Sequence, residues 1–160
     1  MSIAWLSLGS NLNDPYNQVL TAIRELNQHE AIKVCAQSSL YKTKAWGEKK
    51  QPDFINAVLK IETKLEPYEL LDYCQQLENI HKRVRNKPWG ARTLDIDILM
   101  YEDKIINSKQ LTIPHPYMHK RAFVLVPLAE IAAEVQVPKH AKTVAELLQK
   151  VEVEGVRPLH

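Results

Sequence analysis

Phe54-Ile-Asn-Ala-Val-Leu-Lys-Ile-Glu-Thr-Lys-Leu65 is a long alternating stretch in the middle of the chain. The odd-numbered residues from Ile55 to Ile61 are all apolar. Because successive residues of a strand point to opposite faces, these side chains would share one face, while Phe54, Asn56, Val58 and the following even-numbered residues would share the other. The stretch therefore predicts a long β-strand with a buried face.

The segments around this strand alternate between strand and helix patterns. Asp14-Pro15 has the form of a helix N-cap followed by proline at the first helical position, and Pro67 opens a second helix. The patterns predict strands at residues 2–9, 32–42, 54–65 and about 94–100, helices at 15–28 and 67–82, and loops at 43–53 and 83–89. This βαββαβ order is typical of a ferredoxin-like α+β fold with an antiparallel sheet packed against helices.

A C-terminal extension of strands and helices follows the βαββαβ unit. After Tyr101 we expect a tight turn into a short strand, and between Ala122 and Ala133 short helices separated at Pro127. A brief strand is expected near residues 135–137. Thr143 and Glu146 have the spacing of a capping box, which predicts a last helix through about residue 151.

Composition limits the classes of protein that this chain can be. With 160 residues and 45% hydrophobic content, it predicts a single domain over residues 1–160. The formal charge of +2 predicts no general affinity for polyanions. Cys35 and Cys74 lack zinc-ligand and disulfide-framework spacing, so we expect buried or half-buried thiols. The absence of a signal sequence and of a long apolar run predicts a cytoplasmic protein.

Two carboxylates mark the strand near the middle of the chain as a candidate metal site. Asp95 and Asp97 are two residues apart in an apolar stretch, so both would face the same way, about 7 Å apart. Leu99 would share their face, while Leu94, Ile96, Ile98 and Met100 would face the core. Mg²⁺ is commonly held by one or two carboxylates and the phosphates of a nucleotide. The alternative is that this face is only solvated.

Phosphate binding in this chain requires side chains rather than a glycine-rich loop. The four glycines permit neither of the common phosphate-binding motifs, GxxxxGK[ST] and GxGxxG. Arginine binds phosphate oxygens in pairs through its planar guanidinium group. The candidates are Arg83, Arg85, Arg92 and Arg121, each of which could instead be a solvated surface cation.

Other side chains suggest a site for a flat heterocycle. Phe54 and Asn56 share a strand face, where a ring can stack on the first while the amide of the second binds its edge. The alternative is that Phe54 belongs to the core and Asn56 is a polar residue at the end of a strand. Gln75 and Glu78 share one side of the second helix and could point toward the acidic strand, or simply be exposed. His115 between two prolines is held stiffly, which favours a hydrogen-bond donor over a general base.

Five motifs together resemble the 6-hydroxymethyl-7,8-dihydropterin pyrophosphokinase family of folate biosynthesis. They are Ser7-Leu-Gly-Ser-Asn-Leu12, Gln51-Pro-Asp-Phe-Ile-Asn56, Arg83-Val-Arg85, Trp89-Gly-Ala-Arg-Thr-Leu-Asp-Ile-Asp97 and Pro114-His-Pro-Tyr-Met-His-Lys-Arg121. The resemblance runs from Ser7 to about Pro127. It implies transfer of the β,γ-diphosphate of ATP to the hydroxymethyl group of the pterin, with release of AMP. Gln110 and Pro116 depart from the residues of some members, so no ATP contact is inferred for them.

The resemblance also implies a role for each site residue. Asp95 and Asp97 would hold two Mg²⁺ ions, and Arg83 and Arg92 would act on the triphosphate. ATP would be bound by Gln75, Glu78, Arg85, Trp89, Ile98, Thr112, His115 and Arg121. The pterin would be bound by Gly9, Thr43, Trp46, Phe54, Asn56 and Phe123. The loops at 10–14, 43–53 and 83–92 would close over the substrates and exclude water.

Two other functions are compatible with parts of the pattern. A nucleotidyltransferase could use the same aspartates and would release pyrophosphate instead of AMP. A ferredoxin-like nucleic-acid binder could use the basic residues 82–92, but the few aromatic residues do not form a base-stacking surface. We therefore expect ATP and the pterin as partners, no nucleic acid, no membrane, and a monomer.

Overall fold

The computed structural model describes residues 1–44, 52–82 and 93–159. In chain order the strands are β1 (Ser2–Ser10), β2 (Ile32–Gln37), β3 (Tyr41–Thr43), β4 (Phe54–Thr63), β5 (Asp95–Tyr101), β6 (Ile106–Asn107), β7 (Thr112–Ile113), β8 (Gln136–Val137), β9 (Lys142–Thr143) and β10 (Val156–Pro158). The α-helices are α1 (Pro15–Gln28), α2 (Pro67–Lys82), α3 (Ala122–Ala132) and α4 (Val144–Leu148), and a 3-10 turn covers Met118–Lys120.

Six strands in the described part of the chain form one antiparallel sheet. Its order is β10-β3-β4-β1-β5, and β2 also pairs with β4. β4 is therefore central, as its alternating sequence predicts, and β5 lies at one edge. The predicted ferredoxin-like α+β architecture with its C-terminal extension is confirmed. Two small hairpins, β6-β7 and β8-β9, lie outside this sheet.

The two faces of the sheet bury separate apolar clusters. The first cluster joins the odd-numbered side chains of β4 to α1 and α2. The second joins Val58 and Trp5 to α3 and α4. The even-numbered face of β4 therefore begins at the solvent-accessible Phe54 and continues under α3. This second face carries the candidate site at the end of the sheet where β4 begins.

A bulge in β5 changes the predicted facing of Met100. Trp5 pairs with Met100 and Leu6 with Ile98, so Leu99 is an extra residue between them. Leu94, Ile96 and Ile98 pack on the α1 and α2 face as expected. Leu99 and Met100 both pack on the α3 and α4 face. The prediction that Met100 shares the face of Ile98 was wrong because the bulge reverses the alternation there.

The predicted strand at 32–42 is two strands in the structure. β2 and β3 both pair with β4, at its far end and near end respectively. Between them, Ser38 is buried and its hydroxyl accepts a hydrogen bond from the backbone N–H of Val58 at 2.9 Å. The side chain of Ser38 thus replaces part of the regular ladder, which allows the chain to bend.

Helix ends follow the sequence signals in part. α1 begins at Pro15, but the Asp14 side chain makes no cap and instead accepts a hydrogen bond from Asn17. The Thr143–Glu146 capping box forms, although α4 ends at Leu148 rather than near 151. α3 continues through Pro127 as one helix, so the predicted break at this proline does not occur. Burial of the apolar side chains of α3 stabilises the helix by more than the one backbone hydrogen bond lost at Pro127 costs.

Both cysteines are free thiols, and one differs from the prediction. Cys74 is buried in the cluster under α2, as expected, whereas Cys35 is exposed on β2. No helix in the described ranges is long and apolar enough to cross a membrane.

Candidate active site

A pocket of about 290 Å³ opens where β1, β3, β4 and β5 meet the start of α3. This volume is at the lower end of the range for small-molecule sites. Among the described residues, its lining consists of Ser7, Gly9, Thr43, Lys44, Phe54, Asn56, Asp95, Asp97, Arg121 and Phe123. All five described residues that the sequence predicts for the pterin therefore line one pocket, together with the two predicted metal ligands.

The amide of Asn56 is held at the base of this pocket. Asn56 and Thr43 are each 5% exposed, and Asn56 Nδ2 donates a short hydrogen bond to Thr43 Oγ1. Gly9 lies opposite Asn56 in the β1-β4 register. A Cβ atom at Gly9 would be 2.7 Å from Asn56 Oδ1, so only glycine leaves this amide in place. The amide keeps an oxygen and a second N–H for a ligand.

Two half-buried aromatic residues flank this polar base. Phe54 begins β4 and Phe123 lies in the first turn of α3. The Arg121 guanidinium carbon is 5.5 Å from the ring centroid of Phe123 and 5.5 Å from that of Tyr117. These are cation–π distances, so the two rings hold the guanidinium at the mouth of the pocket.

The paired carboxylates Asp95 and Asp97 lie on the pocket face of β5, as the strand spacing predicts. Ser7 pairs with Asp97, and Gly9 pairs with Asp95, on the neighbouring strand β1. No group of three metal-binding side chains occurs in the described part of the chain. Two carboxylates on one strand face suit Mg²⁺, which commonly takes its other ligands from phosphates and water.

Glu78 supports the carboxylate strand from the side opposite β1. Its Oε2 accepts a hydrogen bond from the backbone N–H of Ile96 at 2.7 Å. Because β5 is an edge strand, this N–H points away from β1 and finds its acceptor on α2. Glu78 thereby connects α2 to the residue between the two aspartates.

His115 faces the same carboxylates from the segment after β7. Its Nε2 is 3.8 Å from Asp97 Oδ2, and its Nδ1 accepts a hydrogen bond from the backbone N–H of Tyr117 at 3.1 Å. Burial, then the positive charge of Arg121, lowers the pKa of His115 to about 4, against an opposing effect of Asp95. The imidazole is therefore neutral near pH 7 and carries its proton on Nε2. This arrangement suits a hydrogen-bond donor.

A hydrogen-bond cluster on Glu130 connects α3 to the chain around β3. The carboxylate accepts hydrogen bonds from Tyr41 Oη at 2.6 Å, from Ser39 Oγ at 2.9 Å and from the Ser39 backbone N–H at 3.0 Å. Burial, then the hydrogen bond to Glu130, raises the pKa of Tyr41 to about 12. These contacts hold Tyr41, two residues before Thr43, against the helix that carries Phe123.

Three other described residues that were predicted for ATP lie outside the pocket. Gln75 is exposed on α2 and Thr112 is half-buried on β7, both toward the β5 edge. Ile98 is 4% exposed and packs in the cluster under α1 and α2. Its predicted contact with ATP stays a prediction, as do those of Gln75 and Thr112. Trp46, Arg83, Arg85, Trp89 and Arg92 lie outside the described residues.

Two lining residues were absent from the predicted site. Ser7 is 7% exposed and lies two residues before Gly9 on the same strand face, a spacing that could have identified it. Lys44 follows Thr43 at the end of β3, where no periodic pattern indicates its direction.

The relationship of this chain to known proteins agrees with the geometry. The sequence profile of the family described as 7,8-dihydro-6-hydroxymethylpterin-pyrophosphokinase matches residues 5–133. The chain belongs to this family. It is thus an ATP-dependent diphosphokinase that transfers a pyrophosphoryl group to 6-hydroxymethyldihydropterin in folate biosynthesis. This identification decides against the nucleotidyltransferase as the activity of the chain.

Several curated members of the family are similar over nearly their whole length. The 2-amino-4-hydroxy-6-hydroxymethyldihydropteridine pyrophosphokinase of Haemophilus influenzae is 47% identical over 94% of this chain and 93% of its own. The protein of the same name from Methylorubrum extorquens is 40% identical over 98% of each chain. The Bacillus subtilis protein is 44% identical over 84% of this chain and 81% of its own.

Solved structures of the family share the fold. The crystal structure of Plasmodium falciparum HPPK-DHPS, wild type with SDX-DHP, aligns with a TM-score of 0.77 at 17% identity. The alignment covers 99% of this chain and 47% of that one, so this chain spans about half of the larger protein. At this identity the similarity concerns the fold alone.

Proposed function

We propose that the pocket binds the pterin and that the carboxylates of β5 hold the metal ions for diphosphate transfer from ATP. The observation that carries this proposal is the lining of a single pocket: two aromatic rings, a fixed amide and two adjacent carboxylates. The transfer breaks the bond between the α- and β-phosphates of ATP and forms a bond to the pterin hydroxymethyl oxygen. Its products are AMP and the pterin diphosphate.

The pterin would occupy the aromatic part of the pocket. Its flat ring would lie between Phe54 and Phe123, while the Asn56 amide would bind its polar edge. The hydrogen bond from Asn56 to Thr43 holds the amide in one orientation, so no rotamer freedom is lost on binding. Gly9 leaves room for this amide, and Trp46 stays a predicted contact outside the described residues.

Asp95 and Asp97 would hold two Mg²⁺ ions at the end of the pocket. Bound Mg²⁺ would neutralise phosphate charge and orient the phosphates for transfer. The residues of this chain would set the geometry: Ser7 and β1 support the strand from one side, and Glu78 fixes it from the other. His115 Nε2 lies beside the Asp97 carboxylate at 3.8 Å, which is longer than a direct hydrogen bond.

ATP would approach from the β5 edge of the sheet. The residues predicted for it are Gln75, Glu78, Arg85, Trp89, Ile98, Thr112, His115 and Arg121, with Arg83 and Arg92 acting on the triphosphate. The guanidinium of Arg121 lies at the mouth of the pocket beside Phe123. A fixed cation there would stabilise charge on the transferred group. The predicted cytoplasmic location and monomeric state also stay predictions.

Product identification is the test of this proposal. Purified protein with ATP, Mg²⁺ and 6-hydroxymethyl-7,8-dihydropterin should give equal amounts of AMP and pterin diphosphate, resolved by ion-exchange chromatography. Omission of the pterin controls for ATP hydrolysis, and EDTA controls for the metal requirement. Release of pyrophosphate instead of AMP, or undiminished turnover in EDTA, would contradict it.

A further inference from the structure

A broad groove leads from the pocket toward the β10 edge of the sheet, away from β5. Its volume is about 1370 Å³, larger than most small-molecule pockets. Its walls are β3 and β10 on one side, and the segment from His119 to Phe123 with the β9-α4 region on the other. Leu147, Val151 and Val156 contribute apolar surface to it.

The groove is more positively charged than the chain as a whole. Its described lining contains seven lysines and arginines but only three carboxylates, an excess of four positive charges, whereas the whole chain has a net charge of +2. Within the described residues, Lys42 and Asp53 form the single ion pair of this lining, at 3.8 Å. The cations outside that pair are Lys44, Lys120, Arg121, Lys142, Lys150 and Arg157.

The groove and the pocket are continuous. Thr43, Lys44, Arg121 and Phe123 line both of them. A ligand whose ring lies against Phe123 can therefore extend in two directions from it. One leads to Asp95 and Asp97 on β5, and the other leads past Arg121 and Lys44 into the cationic groove.

The position that electrostatics favours for a diphosphate depends on whether metal ions occupy the carboxylates of β5. With Mg²⁺ at the carboxylates, a diphosphate is attracted to β5. Without it, the two aspartates repel a diphosphate, while the groove attracts it. A diphosphate attached to a ring in the pocket can therefore point either toward the carboxylates of β5 or into the groove.

We propose that the groove is a second binding site for the diphosphate group of the product, which occupies it once the metal ions have left the carboxylates. The inference rests on the proposed function, because that reaction produces a pterin with a diphosphate. The groove then lies on the route by which the product leaves, while the β5 edge is left to the nucleotide.

The first test measures diphosphate binding apart from the reaction. Inorganic pyrophosphate is titrated in EDTA, and the ring signals of His119 and His140, which line the groove with centroids 4.6 Å apart, are followed by NMR. These signals should shift and saturate. The double variant K142E/K150E should weaken binding about tenfold, since the half-buried Lys142 and the exposed Lys150 are each replaced by an opposite charge. The matched control K33E/K64E reverses two exposed lysines on β2 and after β4 and should bind like wild type.

The second test distinguishes product from incoming ATP as the source of the phosphate chain. In EDTA, K142E/K150E should lower affinity for the pterin diphosphate about tenfold and leave affinity for the unphosphorylated pterin unchanged. In the Mg²⁺-dependent reaction its KM for ATP should equal that of wild type. A raised KM for ATP with unchanged product affinity would assign the groove to ATP and overturn the proposal.

A second double variant is tested in case K142E/K150E does not fold. K150E/R157E changes two exposed side chains on the opposite walls of the groove and should show the same loss of pyrophosphate binding. Unchanged pyrophosphate affinity in both folded variants, or an equal loss in K33E/K64E, would overturn the proposal. Because pyrophosphate binding in EDTA needs no turnover, this result is separate from the AMP assay that tests the proposed function.

Discussion

The backbone N–H of Ile96 donates a hydrogen bond to Glu78 Oε2 across 2.7 Å, and Ile96 lies between the two carboxylates of the site. Replacing Glu78 with alanine leaves a buried donor without this acceptor, which costs about 1–3 kcal/mol. We expect Glu78→Ala to lower the free energy of unfolding by that amount in urea and to lower kcat, whereas Glu78→Gln retains an oxygen acceptor and most of the stability.

Asn79→Ala, an exposed change on the next residue of α2, is the control for this experiment. Equal losses of stability in Glu78→Gln and Glu78→Ala would contradict the supporting role. A rise in KM for ATP in both variants, with unchanged stability, would instead favour the direct ATP contact that the family resemblance implies.

Asp95→Asn and Asp97→Asn test the metal site. Each change removes a negative charge but keeps the size of the side chain, so the free energy of unfolding should stay within about 1 kcal/mol of wild type. AMP formation should fall about a thousandfold or more at any Mg²⁺ concentration, because charge neutralisation of the phosphates is lost. Asp103→Asn, in the exposed turn after β5, should be fully active. Wild-type turnover in either Asp95→Asn or Asp97→Asn would contradict the assignment of these carboxylates as metal ligands.

Gly9→Ala should affect the pterin and not ATP. The added Cβ would be 2.7 Å from Asn56 Oδ1 and must displace the amide. Steady-state kinetics should show a KM for the pterin raised about tenfold, which corresponds to roughly 1.4 kcal/mol, with an unchanged KM for ATP. In the Asn56→Ala background, Gly9→Ala should add little, because the atom it displaces is gone. Additive effects of the two changes would contradict this explanation.

The Glu130 cluster predicts a dependence of stability on pH. Burial acts to raise the pKa of Glu130, but hydrogen bonds from Tyr41 and Ser39 outweigh it and hold the pKa below the ordinary 4.5. Its contribution is therefore present above pH 4.5 and is lost as the pH falls through the lowered pKa of the folded protein. Glu130→Gln should lower the free energy of unfolding at pH 7 and have a smaller effect at an acidic pH below the lowered pKa of Glu130, as measured by urea denaturation.

Glu134→Gln, an exposed change just beyond α3, controls for the loss of a carboxylate elsewhere and should show no such difference between the two pH values. An equal effect of Glu130→Gln at both pH values would mean that the cluster contributes nothing through the charge of Glu130.

Strong local patterns gave most of the fold in advance. The alternation of residues 54–65 predicted the central strand, and the proline-initiated helices and βαββαβ order predicted the sheet that forms around it. The predictions were wrong at positions where a contact with a distant part of the chain determines the local structure. Ser38 bends the strand at 32–42 by binding Val58, the bulge at Leu99 follows from pairing with β1, and α3 runs through Pro127 because its neighbours cover it.

For the candidate site, the sequence by itself determined which chemical groups are available. A two-residue spacing places Asp95 and Asp97 on one strand face, and the lack of glycine-rich loops leaves phosphate binding to side chains and metal ions. Only the tertiary structure decided that Gly9, Asn56 and Phe123 share a pocket with these carboxylates, that Glu78 supports their strand, and that a cationic groove opens beside Arg121. The physical reason is range: strand spacing acts within a few residues, whereas the pocket and the groove depend on sheet pairing and helix packing between segments far apart in the chain.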